Sequence, residues 1–178
     1  FNGGWTHSST GALPNGTNGW AETYLNNSLV LSQNSTHLSL YSRTNNNTPI
    51  VDICNSGNGG DPNASPLILI NFSGTTYIKV NQSLYSTVID GSSLGMRIAS
   101  RIDSTTEKLY KNNSLVLTSA KTSAIVTTGT MTISKWSAGY WSNREYAFCT
   151  IGDGLSDSEA SAFYTITQTF QTSLARNV

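Results

Sequence analysis

Along most of the chain apolar and polar residues alternate in short runs, each bounded by Gly, Asn, Ser or Asp. A period of two is the mark of a half-buried strand, because successive side chains point to opposite faces. His37–Arg43 is the clearest case: Leu38 and Leu40 fall on one face, and His37, Ser39, Tyr41 and Arg43 on the other. Further strand-like runs cover 50–54, 67–71, 76–80, 85–89, 95–102, 131–135 and 145–151. Glu107–Tyr110 and Leu115–Thr118 flank Asn112-Asn113, and an Asn pair tolerates the positive φ of a tight hairpin turn. The longest apolar stretch, Pro66–Ile70, has the length of a buried strand and falls far short of the roughly 20 residues a membrane span needs.

The period changes once. Ser156 and Glu159 form a capping-box pattern, after which Ala160, Phe163, Tyr164, Ile166, Phe170 and Leu174 recur at helical spacing. This predicts a C-terminal helix over 156–175, with Arg176 placed to favour the C-terminal end of its dipole. Many short strands, one terminal helix and no alternation of strands with helices predict an all-β architecture, two antiparallel sheets packed face to face. Residues 1–18, rich in Gly, Asn and Thr and without a period, read as an extended N-terminal segment. Residues 19–178 read as a single jelly-roll domain, and a chain of 178 residues is long enough to bury one sizeable core.

Composition narrows the function classes. Only 11% of residues are charged, against about 25% in an ordinary globular protein, and the formal net charge is zero. Polarity comes from 18 Asn, 26 Ser and 23 Thr, groups that suit sheets and their turns. With no basic stripe to neutralise phosphates, nucleic acid is not an expected partner. Cys54 and Cys149 are too few for a disulfide framework and are expected as small buried thiols.

Two stretches resemble a known family. Glu107–Val116 is similar to a hairpin of laminin-G-like, concanavalin A-like jelly rolls, where Gly usually stands in place of Asn113. Asn143–Ala160 is similar to that family's closing strand and helix start. The run Thr36–Asn45 and the segment from Ala147 to the C-terminus resemble a subset found in phage virion proteins (tail, spike or fibre) and bacterial surface proteins. The likeness extends over roughly residues 18–178. It implies a concanavalin A-like antiparallel sandwich with one C-terminal helix, at a virion surface or otherwise extracellular. It also implies host recognition through a surface polysaccharide or other glycan, with virion protein neighbours and homo-oligomeric or multicopy display. A purely structural assembly domain is the alternative that the same fold permits.

Catalysis is not expected. A glycosidase needs two carboxylates flanking the scissile bond, yet Glu22, Glu107, Glu145 and Glu159 have no acidic partners at alternate strand positions. Asp153 and Asp157 sit where a turn and a helix start attract carboxylates anyway. His7 and His37 are the only imidazoles that could serve a nucleophile as base. No cofactor is expected; among metals, calcium is the one the loop oxygens of Asn58, Asp61 and Asn63 would suit.

Sugar binding needs aromatic faces beside hydrogen-bonding amides and guanidines. The densest such group is Trp136, Tyr140, Trp141, Asn143 and Arg144, and Trp20 with Tyr24 is a weaker second. The competing structural roles are a core position for Trp136, an ion pair of Arg144 with Glu145 or Asp153, and Trp5 as an anchor of the N-terminal segment.

Overall fold

The structure is a computed structural model and describes residues 1–55, 66–136 and 139–178. In chain order the strands are β1 (Trp5–His7), β2 (Ala12–Pro14), β3 (Ala21–Asn26), β4 (Thr36–Ser42), β5 (Ile53–Asn55), β6 (Leu67–Phe72) and β7 (Thr75–Lys79). They continue as β8 (Ser86–Ile89), β9 (Gly95–Arg101), β10 (Thr106–Lys111), β11 (Ser114–Ala120), β12 (Thr130–Ile133) and β13 (Tyr146–Gly152). A four-residue helix α1 (Asn27–Val30) follows β3, and α2 (Asp157–Ser173) closes the chain. Seven strands form one sheet in the order β1-β2-β13-β4-β9-β10-β11, and six form the other in the order β3-β12-β5-β6-β7-β8. The domain is an antiparallel β-sandwich jelly roll with one C-terminal helix, as the alternating runs predict.

The core follows from strand alternation. Leu38, Leu40, Ala99 and Leu109 of the larger sheet meet Ile53, Ile68, Ile70, Ile78, Val80 and Met131 of the smaller one, all fully buried. Each such Leu or Ile stabilises the fold by about 1.5–3 kcal/mol relative to an exposed position. The opposite face of β4, β9 and β10 is covered too: Tyr41, Met96, Ile98 and Tyr110 pack with Ala160, Phe163 and Tyr164 of α2. Hence every residue of Thr36–Ser42 is buried, although its sequence reads as a half-buried strand.

The hairpin joining β10 to β11 turns at Asn112, which takes φ 52° and donates its N–H to the Met96 carbonyl. The capping box forms as expected, with the Ser156 hydroxyl accepting from Glu159 N–H and the Glu159 carboxylate accepting from Ser156 N–H. Only the first half of the expected apolar face is used, however: Ala160, Phe163 and Tyr164 pack inward. Ala160, Thr167 and Gln171 are its buried residues, whereas Ile166, Phe170 and Leu174 face outward. Packing of Phe163 and Tyr164 against the sheet fixes this rotation.

The N-terminal segment also differs. Residues 1–18, read as an extended segment without a period, contain two strands: β1 and β2 pair as a hairpin, and Ala12 pairs with Tyr146 to extend the larger sheet. Trp5 anchors it, its indole N–H donating to the carbonyls of Asn2 (3.0 Å) and Trp20 (3.2 Å).

Three arginines are buried, each with an acidic partner: Arg97 with Asp90, Arg101 with Glu107, and Arg144 with Asp52. Lys111 adds a second cation to Asp90 at 2.5 Å. Burying such charges is costly, and it is sustained only when pairing and hydrogen bonds are complete.

Candidate functional site: an aromatic groove on the six-stranded sheet

The outer face of the smaller sheet carries the residues that alternate with the core set. Val51, Cys54, Leu67 and Leu69 form a cluster of their own, with Tyr77 and Trp136 packed against it. Where the larger sheet has α2, this face has an open groove of about 300 Å³. Pro49, Leu69, Phe72, Tyr77, Tyr85, Trp136 and Tyr140 line it.

Each wall has a local cause. Leu69 and Tyr77 are register partners on β6 and β7, so both point outward. Phe72 lies three residues after Leu69, and strict alternation would send it to the other face. The β6–β7 register shifts between them, with Asn71 at φ 50°, and this bulge brings Phe72 to the groove side. Tyr85 precedes the edge strand β8 and meets Tyr77 edge-to-face at 5.7 Å between centroids. Lys79 lies against the same ring, its ammonium 4.4 Å from the Tyr85 centroid. Burial, with the Cys54 thiol nearby, pushes the Tyr85 phenol above its ordinary pKa, so it stays a hydrogen-bond donor.

The remaining wall is the connection from β12 to β13. Trp136 N–H donates to the Tyr140 carbonyl at 3.2 Å, and the two rings lie 5.6 Å apart at 57°. Tyr140 is 46% exposed, and Phe72 and Tyr85 are each 37% exposed. Such large, rigid, half-exposed rings offer stacking surface with little conformational entropy left to lose.

The sequence-predicted group is therefore divided. Trp136 and Tyr140 belong to the groove. Lys135 and Trp141 pair across the same connection, and alternation places them on its other side. There the Lys135 ammonium sits 3.8 Å from the Trp20 ring centroid, so Trp20 lies away from the groove rather than beside it. Asn143 is exposed near the N-terminal hairpin and accepts from the Asn46 amide at 2.7 Å. Tyr24 is exposed and stands at φ 60°.

Arg144 is the plainest correction. Its side chain is fully buried and donates to both carboxylate oxygens of Asp52, and not to Glu145 or Asp153. It also donates to the carbonyls of Thr48 and Ile50, which flank Pro49. A guanidinium buried and paired in this way holds the groove's rim in place and is not presented to a ligand at the surface.

Phe72, Tyr77, Tyr85 and Pro49 are groove residues that sequence reasoning missed. Period-two alternation around Tyr77 carries the one available signal, since it sets Tyr77 opposite the apolar Ile78. The described residues lining the groove bear neither a carboxylate nor an imidazole; they offer ring faces and phenol groups that can stack and hydrogen-bond. Among the described residues there is no cluster of three or more His, Cys, Asp or Glu. The calcium candidates Asn58, Asp61 and Asn63 lie outside the described residues. No described helix is long and apolar enough to cross a membrane.

No family model and no curated protein matches this sequence. Solved structures do match in fold. The CBM40 of the Ruminococcus gnavus IT-sialidase, bound to α2,3 sialyllactose, superposes with a TM-score of 0.55 at 16% identity, covering 76% of this chain and 83% of that one. Domain 4 of AbnA, a GH43 extracellular arabinanase from Geobacillus stearothermophilus, in complex with arabinotriose, gives 0.58 at 15% identity, covering 91% and 82%. The NanB sialidase of Streptococcus pneumoniae gives 0.56 at 15% identity, covering 81% of this chain and 27% of that one. At such identities the likeness is one of architecture.

Proposed function

We propose that this domain is a non-catalytic, extracellular glycan-binding module, and that the groove between Tyr85 and the Trp136–Tyr140 turn is its binding site. The observation that carries this reading is an open sheet face lined by five aromatic side chains, held rigid by mutual ring contacts. An aromatic ring stacks on the apolar face of a pyranose, while phenol donors reach its hydroxyls. The R. gnavus CBM40 and AbnA domain 4 were solved with sialyllactose and arabinotriose, which supports a sugar as the ligand class for a sandwich of this shape.

The finer placement is a phage virion protein, a tail, spike or fibre that recognises a host surface polysaccharide. It rests on the resemblance of Thr36–Asn45 and of the segment from Ala147 onward, and on a neutral, hydroxyl-rich composition. Individual sugar contacts are weak, so such a module works in several copies, where effective concentration raises avidity. The second reading is an assembly domain whose aromatic face is covered by a neighbouring subunit.

A multivalent form of the domain, applied to a glycan array, tests the reading. Binding is expected, and Trp136→Ala or Tyr140→Ala should cost about 1.4 kcal/mol or more, about tenfold in Kd. Undiminished binding by both variants would move the site elsewhere. A domain that binds no glycan but masks Tyr140 by self-association would favour the assembly reading.

A further inference from the structure

The charges around the groove define its ligand class more narrowly. We infer that the groove selects uncharged glycans and rejects sialylated, uronate-containing and sulfated ones, an inference that rests on the glycan-binding reading above. Anionic sugars are held by paired cations, typically the fork of an arginine against a carboxylate or sulfate. The described lining residues are all uncharged.

Three cations that adjoin lining residues, Lys79, Lys135 and Arg144, are each engaged with another partner. Lys79 is 1% exposed, lies against the Tyr85 ring and is not among the residues that line the groove. Lys135 immediately precedes Trp136, but its ammonium sits over Trp20 on the far side of the turn. Arg144 stands behind Pro49 with its guanidinium spent on Asp52 and on the carbonyls of Thr48 and Ile50. The segments 56–65 and 137–138 contain no Lys, Arg or His, so sequence alone rules out a basic residue from them.

What the groove offers instead is apolar surface with phenol donors at its edges. An anionic sugar entering it would shed water from its charge without gaining a counter-charge, which opposes binding. A neutral hexose or pentose loses no such hydration, and its C–H faces meet the rings of Tyr85, Trp136 and Tyr140. A volume of about 300 Å³ is at the small end of the range of ligand pockets. It therefore suits one or two sugar rings of a longer chain that continues into solvent.

The test uses the whole domain, displayed multivalently, on an array holding matched neutral and acidic oligosaccharides. Neutral ligands should bind, and Tyr85→Ala and Tyr140→Ala should each weaken them about tenfold or more while leaving the thermal midpoint near that of the wild type. Raising NaCl from about 50 mM to about 500 mM should change their apparent Kd by less than about twofold, because stacking is not screened. Acidic glycans bound through the same three rings, with affinity that collapses in salt, would overturn the inference while leaving glycan binding intact. If no glycan of either kind binds, both fall.

Discussion

The Arg144 guanidinium reaches across 92 residues of sequence to Asp52, with its Nη1 2.9 Å from Oδ1 and 3.2 Å from Oδ2. The Tyr146 hydroxyl donates to the same Oδ1 at 2.7 Å, and the Ile70 N–H to Oδ2 at 2.9 Å. One buried carboxylate thus gathers the strand that leads out of the groove's turn, the rim beside Pro49, and β6. Asp52→Ala leaves a buried cation without its partner and should destabilise the fold by about 3–5 kcal/mol in urea or guanidinium denaturation. Replacing both members by apolar side chains should recover much of that loss. A single-variant cost below about 1 kcal/mol would mean that water reaches the pair.

Gln171 on α2 is fully buried, and neither atom of its amide has a hydrogen-bond partner among the described residues. Unsatisfied buried polar groups cost about 1–3 kcal/mol. Gln171→Leu, close in volume and apolar, is therefore expected to raise the stability by about that amount. A lowered denaturation midpoint would show that the amide is satisfied in solution.

His37 carries the pH dependence of helix docking. Its Nδ1–H donates to the Asp153 carbonyl at 2.6 Å, Thr150 Oγ1 meets Nε2 at 3.0 Å, and the ring lies 5.8 Å from that of Phe163 on α2. Burial is the largest influence and lowers its pKa below the ordinary 6.5. The unfolded chain then binds a proton that the folded one resists, so stability is full above pH 6.5 and falls as the pH drops below it. Glu107, held above the ordinary carboxyl range by burial, pulls the opposite way. The quantity to measure is accordingly the stability of the wild type minus that of His37→Gln from pH 8 down to pH 5, flat at the upper end and falling at the lower. A difference that stays constant throughout would refute the assignment.

Cys54 and Cys149 are free thiols pushed up to about 12 by burial. They stand on different sheets and in different clusters, Cys54 on the outer face of the smaller sheet and Cys149 on the core face of the larger one. Since the thiolate is the reactive form, a disulfide reagent should leave the native protein unmodified over minutes and titrate both thiols after unfolding. Rapid native labelling of Cys54 would reveal opening of the cluster under the groove.

Local signals made much of the sandwich legible. Leu38 and Leu40, the Asn112 turn, and Ser156 with Glu159 each announce their element within a few residues, and each formed. β1 and β2 escaped because three residues are too few to show a period, and β2 ends in a proline. The groove escaped for a different reason. Its walls come from Pro49, from the β6–β7 pair, from Tyr85 and from the 136–140 turn, and they converge only after the sheet forms. Phe72 joins them through a bulge that alternation cannot foresee. Arg144 looked like a surface donor because its partner is remote in sequence, and a charged residue beside Trp and Asn carries no mark of burial.

The two ends of the chain bear on how the groove can be used. Phe1 covers a cleft of about 180 Å³ at the edge where the two sheets part, together with Trp5, Ala21 and Tyr146. Val178 is tied by its backbone to the Tyr41 hydroxyl, behind the larger sheet. Neither terminus borders the Tyr85–Tyr140 opening. Immobilising the domain through either end therefore leaves the residues that line that opening uncovered.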